Sequence, residues 1–265
     1  MATLRYQFPY MERGSRRPDP PATAHAAVRA AAAHAAWRAP KLKLLDVAAG
    51  SGNATLAAAR RFAETVSTNY VASLLERGCE RALADRLAIT FQEADAESLP
   101  FADASFDVVL STFGVMFTPN QEQAASELLR VCRPGGKIGL ANWTPESFIG
   151  QLFKTIGKYV PPAPGVKSPA LWGTAARLDS LFGSKATVAT ASRHFVFRYK
   201  SPTHWLEIFC TYYGPVVKAF AALDGEAREA LAADIHALID RFNTAQDGTL
   251  VVPSEYLEVV VTKKT

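Results

Sequence analysis

From residue 42 onward, short apolar runs alternate with amphipathic stretches. Leu42, Leu44, Leu45 and Val47 form the first run, which predicts a strand buried on both faces. It ends at Ala48-Ala49-Gly50-Ser51-Gly52, a small-residue turn, and an alanine-rich helix follows from about Asn53. Thr65 to Asn69 reads as a second strand, and residues 70–86 as a helix with Val71, Leu74, Leu75 and Ala82 on one side. A third strand begins at Leu87 to Phe91, and Phe106 to Thr112 is a fourth. Asn120 caps the next helix, with Gln123 in the capping-box position, and that helix stops at Arg133-Pro134-Gly135-Gly136. Lys137 to Asn142 completes the series. Five strands alternating with helices predict an α/β protein with a parallel sheet wound on both faces.

The rhythm then breaks. Residues 144–185 and 201–253 read as mostly helical insertions. In doubly wound folds such insertions overhang the crevice at the carboxyl ends of the strands. Ser201 and Pro202 suit the N-cap and first turn of a helix on which Trp205, Phe209, Tyr212 and Tyr213 share one face. With Phe117, Trp143 and Trp172, the aromatics Trp205 and Phe209 are candidates for an apolar substrate pocket. Lid core is the competing role for each of them. Leu231, Ile235, Leu238, Ile239 and Phe242 are core positions of a later helix.

The glycine turn is where chemistry enters. A dinucleotide loop would place a third glycine at Thr55 and would hold a diphosphate. Asp46, just before the turn, opposes a diphosphate but suits an ammonium group, which S-adenosylmethionine carries. At this point the chain resembles the class I S-adenosylmethionine-dependent methyltransferases, whose first motif is a strand ending D-x-x-x-G-x-G. Three further segments match in order and spacing: Asp95-Ala96-Glu97-Ser98-Leu99-Pro100-Phe101, Ser105-Phe106-Asp107-Val108-Val109 and Leu129-Arg130-Val131-Cys132-Arg133-Pro134-Gly135-Gly136. The resemblance is to the type 11 branch, similar to the quinone-biosynthesis C-methyltransferases.

The resemblance implies a Rossmann-like, mostly parallel seven-stranded sheet. Its last strand would be antiparallel, here Tyr256 to Thr262, with His194 to Tyr199 before it. Residues 42–143 would be the cofactor-binding core of a single domain over 21–265, with residues 1–20 a tail. Asp46, Ala48, Gly50, Ser51 and Gly52 would hold the methionine end of the cofactor, and Asn69 and Tyr70 would meet the ribose. Asp95 and Ala96 would read the adenine edge, and Ser111, Thr112 and Phe113 would line the reacting face. The family usually carries an acid where this chain has Asn69. An amide still accepts one ribose hydrogen bond. Methyl transfer needs alignment and exclusion of water rather than a metal. A hydroxyl or carbon acceptor would also need a base, for which His204, Glu207, Tyr212 and Tyr213 are weak candidates.

Composition narrows the partners. Residues 1–40 carry six arginines against Glu12 and Asp19, which accounts for the whole formal charge of +4 and leaves the body neutral. A neutral body, and Ser111-Thr112-Phe113-Gly114 in place of the Asn/Asp-Pro-Pro-aromatic motif of base methylators, argue against nucleic acid as substrate. No apolar run reaches the ~20 residues of a membrane span. Cys79, Cys132 and Cys210 lack metal spacing and fit a reducing, cytoplasmic setting. The expected activity is methyl transfer to a small apolar or aromatic molecule. A cofactor-binding fold without catalysis is the alternative, kept open by Asn69. Residues 22–37 read as a weakly packed first helix.

Overall fold

The structure, a computed structural model, describes residues 42–61 and 64–265. The expected tail and first helix lie outside the described residues. Chain order runs β1 (Lys43–Asp46), α1 (Asn53–Ala59), β2 (Glu64–Asn69), α2 (Ala72–Ala84), β3 (Thr90–Glu93), β4 (Phe106–Thr112), α3 (Gln121–Val131) and β5 (Cys132–Trp143). It continues with α4 (Phe148–Tyr159), α5 (Ala175–Phe182), β6 (Ala186–Tyr199), α6 (Pro202–Tyr212), α7 (Gly214–Ala222), α8 (Gly225–Phe242) and β7 (Leu250–Lys263). Short 3-10 turns span Val115–Phe117 and Pro169–Gly173.

The seven strands form one sheet in the order β3-β2-β1-β4-β5-β7-β6. β1 to β5 are parallel, and β7 runs antiparallel to both its neighbours. The central strands are apolar on both faces, as a covered parallel sheet requires: Leu44, Leu45, Val108, Val109 and Leu110 are all buried. The order reverses between β1 and β4, which opens a crevice at the carboxyl ends of those strands.

Several boundaries differ from the sequence pattern. β3 starts at Thr90 because the segment after α2 is used to end that helix: Leu87 N–H bonds the Ala82 carbonyl, and Arg86 is left-handed at φ 53°. The capping box at Asn120 is half formed. Its side chain accepts from Gln123 N–H at 3.0 Å, but its own N–H bonds Glu97 Oε1 at 2.7 Å instead of Gln123. Asp107, at the start of β4, accepts from Lys43 N–H at 2.7 Å and pairs with Arg133 at 2.6 Å.

The longest revision concerns β6 and β7. β6 begins at Ala186, eight residues before the predicted His194, and β7 begins at Leu250 rather than Tyr256. The first half of β6 is a mostly exposed outer strand whose alternation carries little apolar signal. β5 pairs with β7 only as far as Trp143 opposite Tyr256, whereas β6 and β7 stay paired to Tyr199 opposite Leu250. Six residue pairs therefore project as a ribbon, and Pro253 lies in this stretch, where β7 has a single neighbour. Phe195, Phe197 and Tyr199 with Leu250, Val252 and Ser254 are buried along it. Helices α4, α6, α7 and α8 pack on one another and on β6 and β7. The insertions thus cover a strand face rather than only the strand ends. α5, expected within the first insertion, packs on α3 and β6 and belongs to the sheet's flanking layer.

Candidate functional site

Asp46 ends β1 and is fully buried. Thr55, from the first turns of α1, donates to its Oδ2 at 2.6 Å, and Ser67 Oγ of β2 lies 3.0 Å from Thr55 Oγ1. Asp46 Oδ1 is enclosed and has no hydrogen-bond partner. Burial pushes this carboxyl up to about 7, against the lowering effect of the Thr55 bond. An unpartnered carboxylate oxygen poised near neutral charge is suited to a cation, not to a phosphate. Thr55 occupies the place of a third dinucleotide-loop glycine, and here it has a job of its own: it orients the acid.

The turn after Asp46 is held from three sides. Ala49 N–H bonds the Thr68 carbonyl at 2.9 Å, and Val47 N–H bonds the Leu110 carbonyl at 2.8 Å. Arg81 of α2 donates to the Ser51 carbonyl at 2.6 Å. Gly50 and Gly52 have φ of 59° and 79°, and Gly52 is the residue from which α1 starts. Ala48 and Phe113 take positive φ without being glycine, at 52° and 58°. Such backbone costs of order 1–3 kcal/mol each and gathers at functional sites. The two segments touch: a Cβ on Gly114 would lie 2.2 Å from the Ala48 carbonyl oxygen.

Asn69 ends β2 opposite Glu93, and Tyr70 beside it is exposed. Asp95 lies just past β3, and its Oδ1 accepts from Glu97 N–H at 2.9 Å. Ala96 is buried. The loop that carries them is stapled to α3. Glu127 accepts from Leu99 N–H at 2.7 Å and is gripped by both Nε and a terminal nitrogen of Arg130. Arg130 in turn donates to the carbonyls of Leu99 and Phe101. The Arg130 guanidinium holds Glu127 below the usual carboxylate range. Neither residue is a site residue by motif. Arg130 lies in a matched segment, but its partners are 29 and 31 residues away.

The predicted residues on β4 divide. Ser111 is spoken for: it donates to the Val47 carbonyl at 2.8 Å and accepts from Val115 N–H at 3.0 Å. These bonds tie the end of β4 to the turn after Asp46. Phe113 stacks on Trp143 at 4.2 Å between centroids, and the half-exposed Phe117 packs edge-on to Phe153 at 5.5 Å. The other aromatic pocket candidates are enclosed. Trp205 and Phe209 stack on each other at 3.8 Å and are enclosed by the ribbon, and Trp172 is enclosed against Phe182. The rings of all three pack as core. Trp205 and Phe209 share the α6 face that covers β6, whereas Tyr212, expected on that face, is exposed. His204 sits against Tyr199 at the far end of the ribbon, and Tyr213 packs on Phe209. Glu207 and Tyr212 are exposed on α6. None of the four base candidates is brought to the end of β4. A cleft of about 320 Å³ between α4 and α8, lined by Lys154, Lys158, Asp234 and Arg241, contains no residue of the glycine turn or of the strand ends.

This strand order, with a buried acid before a glycine turn at the reversal point, defines an S-adenosylmethionine-dependent methyltransferase. The Methyltransferase domain profile of the type 11 branch matches residues 45–140, and the chain belongs to that family. An uncharacterised Mycobacterium tuberculosis protein is 39% identical over 228 residues, covering 85% of this chain and 82% of the relative. A demethylmenaquinone methyltransferase of Deinococcus radiodurans is 36% identical over 141 residues, covering 52% and 58% respectively. Among solved structures, the Bacillus subtilis YcgJ protein superposes with a TM-score of 0.62 at 16% identity, over 91% of this chain and 99% of that one. Its likeness supports the fold. S-adenosylmethionine is the cofactor, and the unpartnered Asp46 Oδ1 fits its ammonium. Among the described residues no helix is long and apolar enough to cross a membrane, and no cluster of three metal-ligating side chains occurs.

Proposed function

We propose that the enzyme methylates a small, planar, apolar or aromatic molecule. The supporting observation is the Phe113–Trp143 stack at the carboxyl ends of β4 and β5, with Phe117 and Phe153 beside it. Bound S-adenosylmethionine supplies an electrophilic methyl group on its sulfonium. Asp46 takes the ammonium, Gly50 and Gly52 admit the methionine backbone closely, and Asn69 accepts from one ribose hydroxyl. Asp95 accepts from the adenine amino group with Ala96 against the ring. Thr112 and Phe113 bound the reacting face, and the aromatic wall excludes water there. The helices over the ribbon serve as a frame for that wall. Tyr70 flanks the ribose from solvent. Free Cys79, Cys132 and Cys210 support a cytoplasmic setting, and the neutral body supports a small-molecule acceptor over nucleic acid.

The test is methyl transfer from tritiated S-adenosylmethionine to an acceptor panel of hydroxylated naphthalenes, aliphatic amines, DNA and RNA. Label is expected in the organic extract of the hydroxylated aromatics. Label only in nucleic acid would overturn the reading. Cofactor binding with no transfer to any acceptor would favour a protein that has lost catalysis.

A further inference from the structure

Asn142 is the most anomalous polar side chain of the sheet. It occupies β5 within an otherwise apolar Leu140-Ala141-Asn142-Trp143 segment and is fully buried. Both Oδ1 and Nδ2 lack a hydrogen-bond partner. Trp172, also fully buried, has an unpartnered Nε1. The two residues lie on segments in backbone contact: a Cβ on Gly173 would sit 2.1 Å from the Trp143 carbonyl oxygen. The 3-10 turn carrying Trp172 packs on β5 and on the turn after β4. Phe113 N–H bonds the Ala141 carbonyl at 2.8 Å, so Asn142 follows directly on the residue that joins β5 to the reacting face.

Unpaired buried amides are costly and rare, and each calls for a partner that the protein itself does not supply. A carboxamide offers two donors and an acceptor, and an indole N–H adds a third donor. That set matches a neutral oxygen that both accepts and donates, which is a hydroxyl on the ligand. We propose that Asn142, assisted by Trp172, anchors a hydroxyl of the methyl acceptor at the carboxyl end of β5. This rests on the aromatic-acceptor reading above. Asn142 acts as a specificity-determining residue, and Trp172 is a ligand contact through its N–H although its ring is core.

The test uses the full-length chain saturated with S-adenosylhomocysteine and two probes, 1,4-dihydroxynaphthalene and naphthalene, with binding followed by tryptophan fluorescence. The wild-type complex is expected to prefer the dihydroxy compound by about tenfold, the scale of one to two neutral hydrogen bonds. Asn142→Leu, close in shape, should bring that preference to within about twofold of unity, leave S-adenosylhomocysteine affinity unchanged, and hold or raise the melting temperature. Trp172→Phe should reduce the preference partially. An unchanged preference in Asn142→Leu overturns the anchor while leaving the aromatic reading intact. Binding of neither probe to the wild-type complex overturns both. A fall in melting temperature together with loss of S-adenosylhomocysteine affinity in Asn142→Leu makes the amide a structural group and overturns the anchor.

Discussion

Cofactor affinity should depend steeply on pH, because the acid proposed to receive the ammonium is lifted into the neutral range and becomes largely protonated below it. Asp46 is lifted from 3.8 to about 7 by burial. Docking an ammonium on its free oxygen should return it to the carboxylate range, so binding releases a proton below neutral pH. With a folded-state value of about 7 falling below about 5 in the complex, affinity should drop roughly 20-fold from pH 7.5 to 5.5, or about 2 kcal/mol. The stability of the free protein should move the other way. Its folded-state value lies above the unfolded one, so this group's contribution is fully present below about pH 4. It is lost as pH rises through 7, by about 1.4 kcal/mol per pH unit inside that window. Calorimetric titration with S-adenosylhomocysteine in two buffers of different ionisation enthalpy measures both affinity and proton release. Asp46→Asn should weaken binding at pH 7.5 by about tenfold or more and flatten the pH curve. Thr55→Val removes the lowering hydrogen bond and should shift the curve to higher pH. A wild-type affinity that is flat between pH 5.5 and 7.5, with no proton released, would refute this account of Asp46.

Three further substitutions probe the rest of the site. Gly52→Val should abolish S-adenosylhomocysteine binding; its φ of 79° makes the variant lose of order 1–2 kcal/mol in a thermal melt as well, although the new Cβ meets its nearest neighbour, Thr55, only at 3.5 Å. Asn69→Asp should tighten S-adenosylmethionine by up to about fivefold, since a carboxylate accepts from both ribose hydroxyls, with Glu93 opposing it across the strand pair. The gain should vanish for a 2′,3′-dideoxy analogue, and equal tightening of both would remove Asn69 from the ribose. Arg130→Gln should destabilise by roughly 2–4 kcal/mol, because Glu127 is left with a charge it cannot fully pair. It should also erode discrimination between S-adenosyl- and S-inosylhomocysteine, and intact discrimination would separate the Asp95 loop from the adenine.

What could be read from the chain was whatever is encoded locally. The β1 run, the glycine turn, β4 and the Ser201 cap are each written in a few consecutive residues, and each formed where the pattern predicts. The Arg130–Glu127 staple joins α3 to a loop some 30 residues earlier and leaves no period in the sequence. Thr55 looked like a missing glycine because its purpose depends on where α1 places it relative to Asp46. The helical spacing of Trp205 and Phe209 gave the shared face but not its direction, which the ribbon of β6 and β7 decides. Asn142 did carry a signal, a lone amide ending an apolar strand, that periodicity alone passes over.

The most direct test of the account is a crystal structure with S-adenosylhomocysteine bound. It should place the ligand's amino group within hydrogen-bond distance of Asp46 Oδ1 and its adenine against Asp95 and Ala96. A ligand seated elsewhere, or an amino group turned away from Asp46, would contradict it.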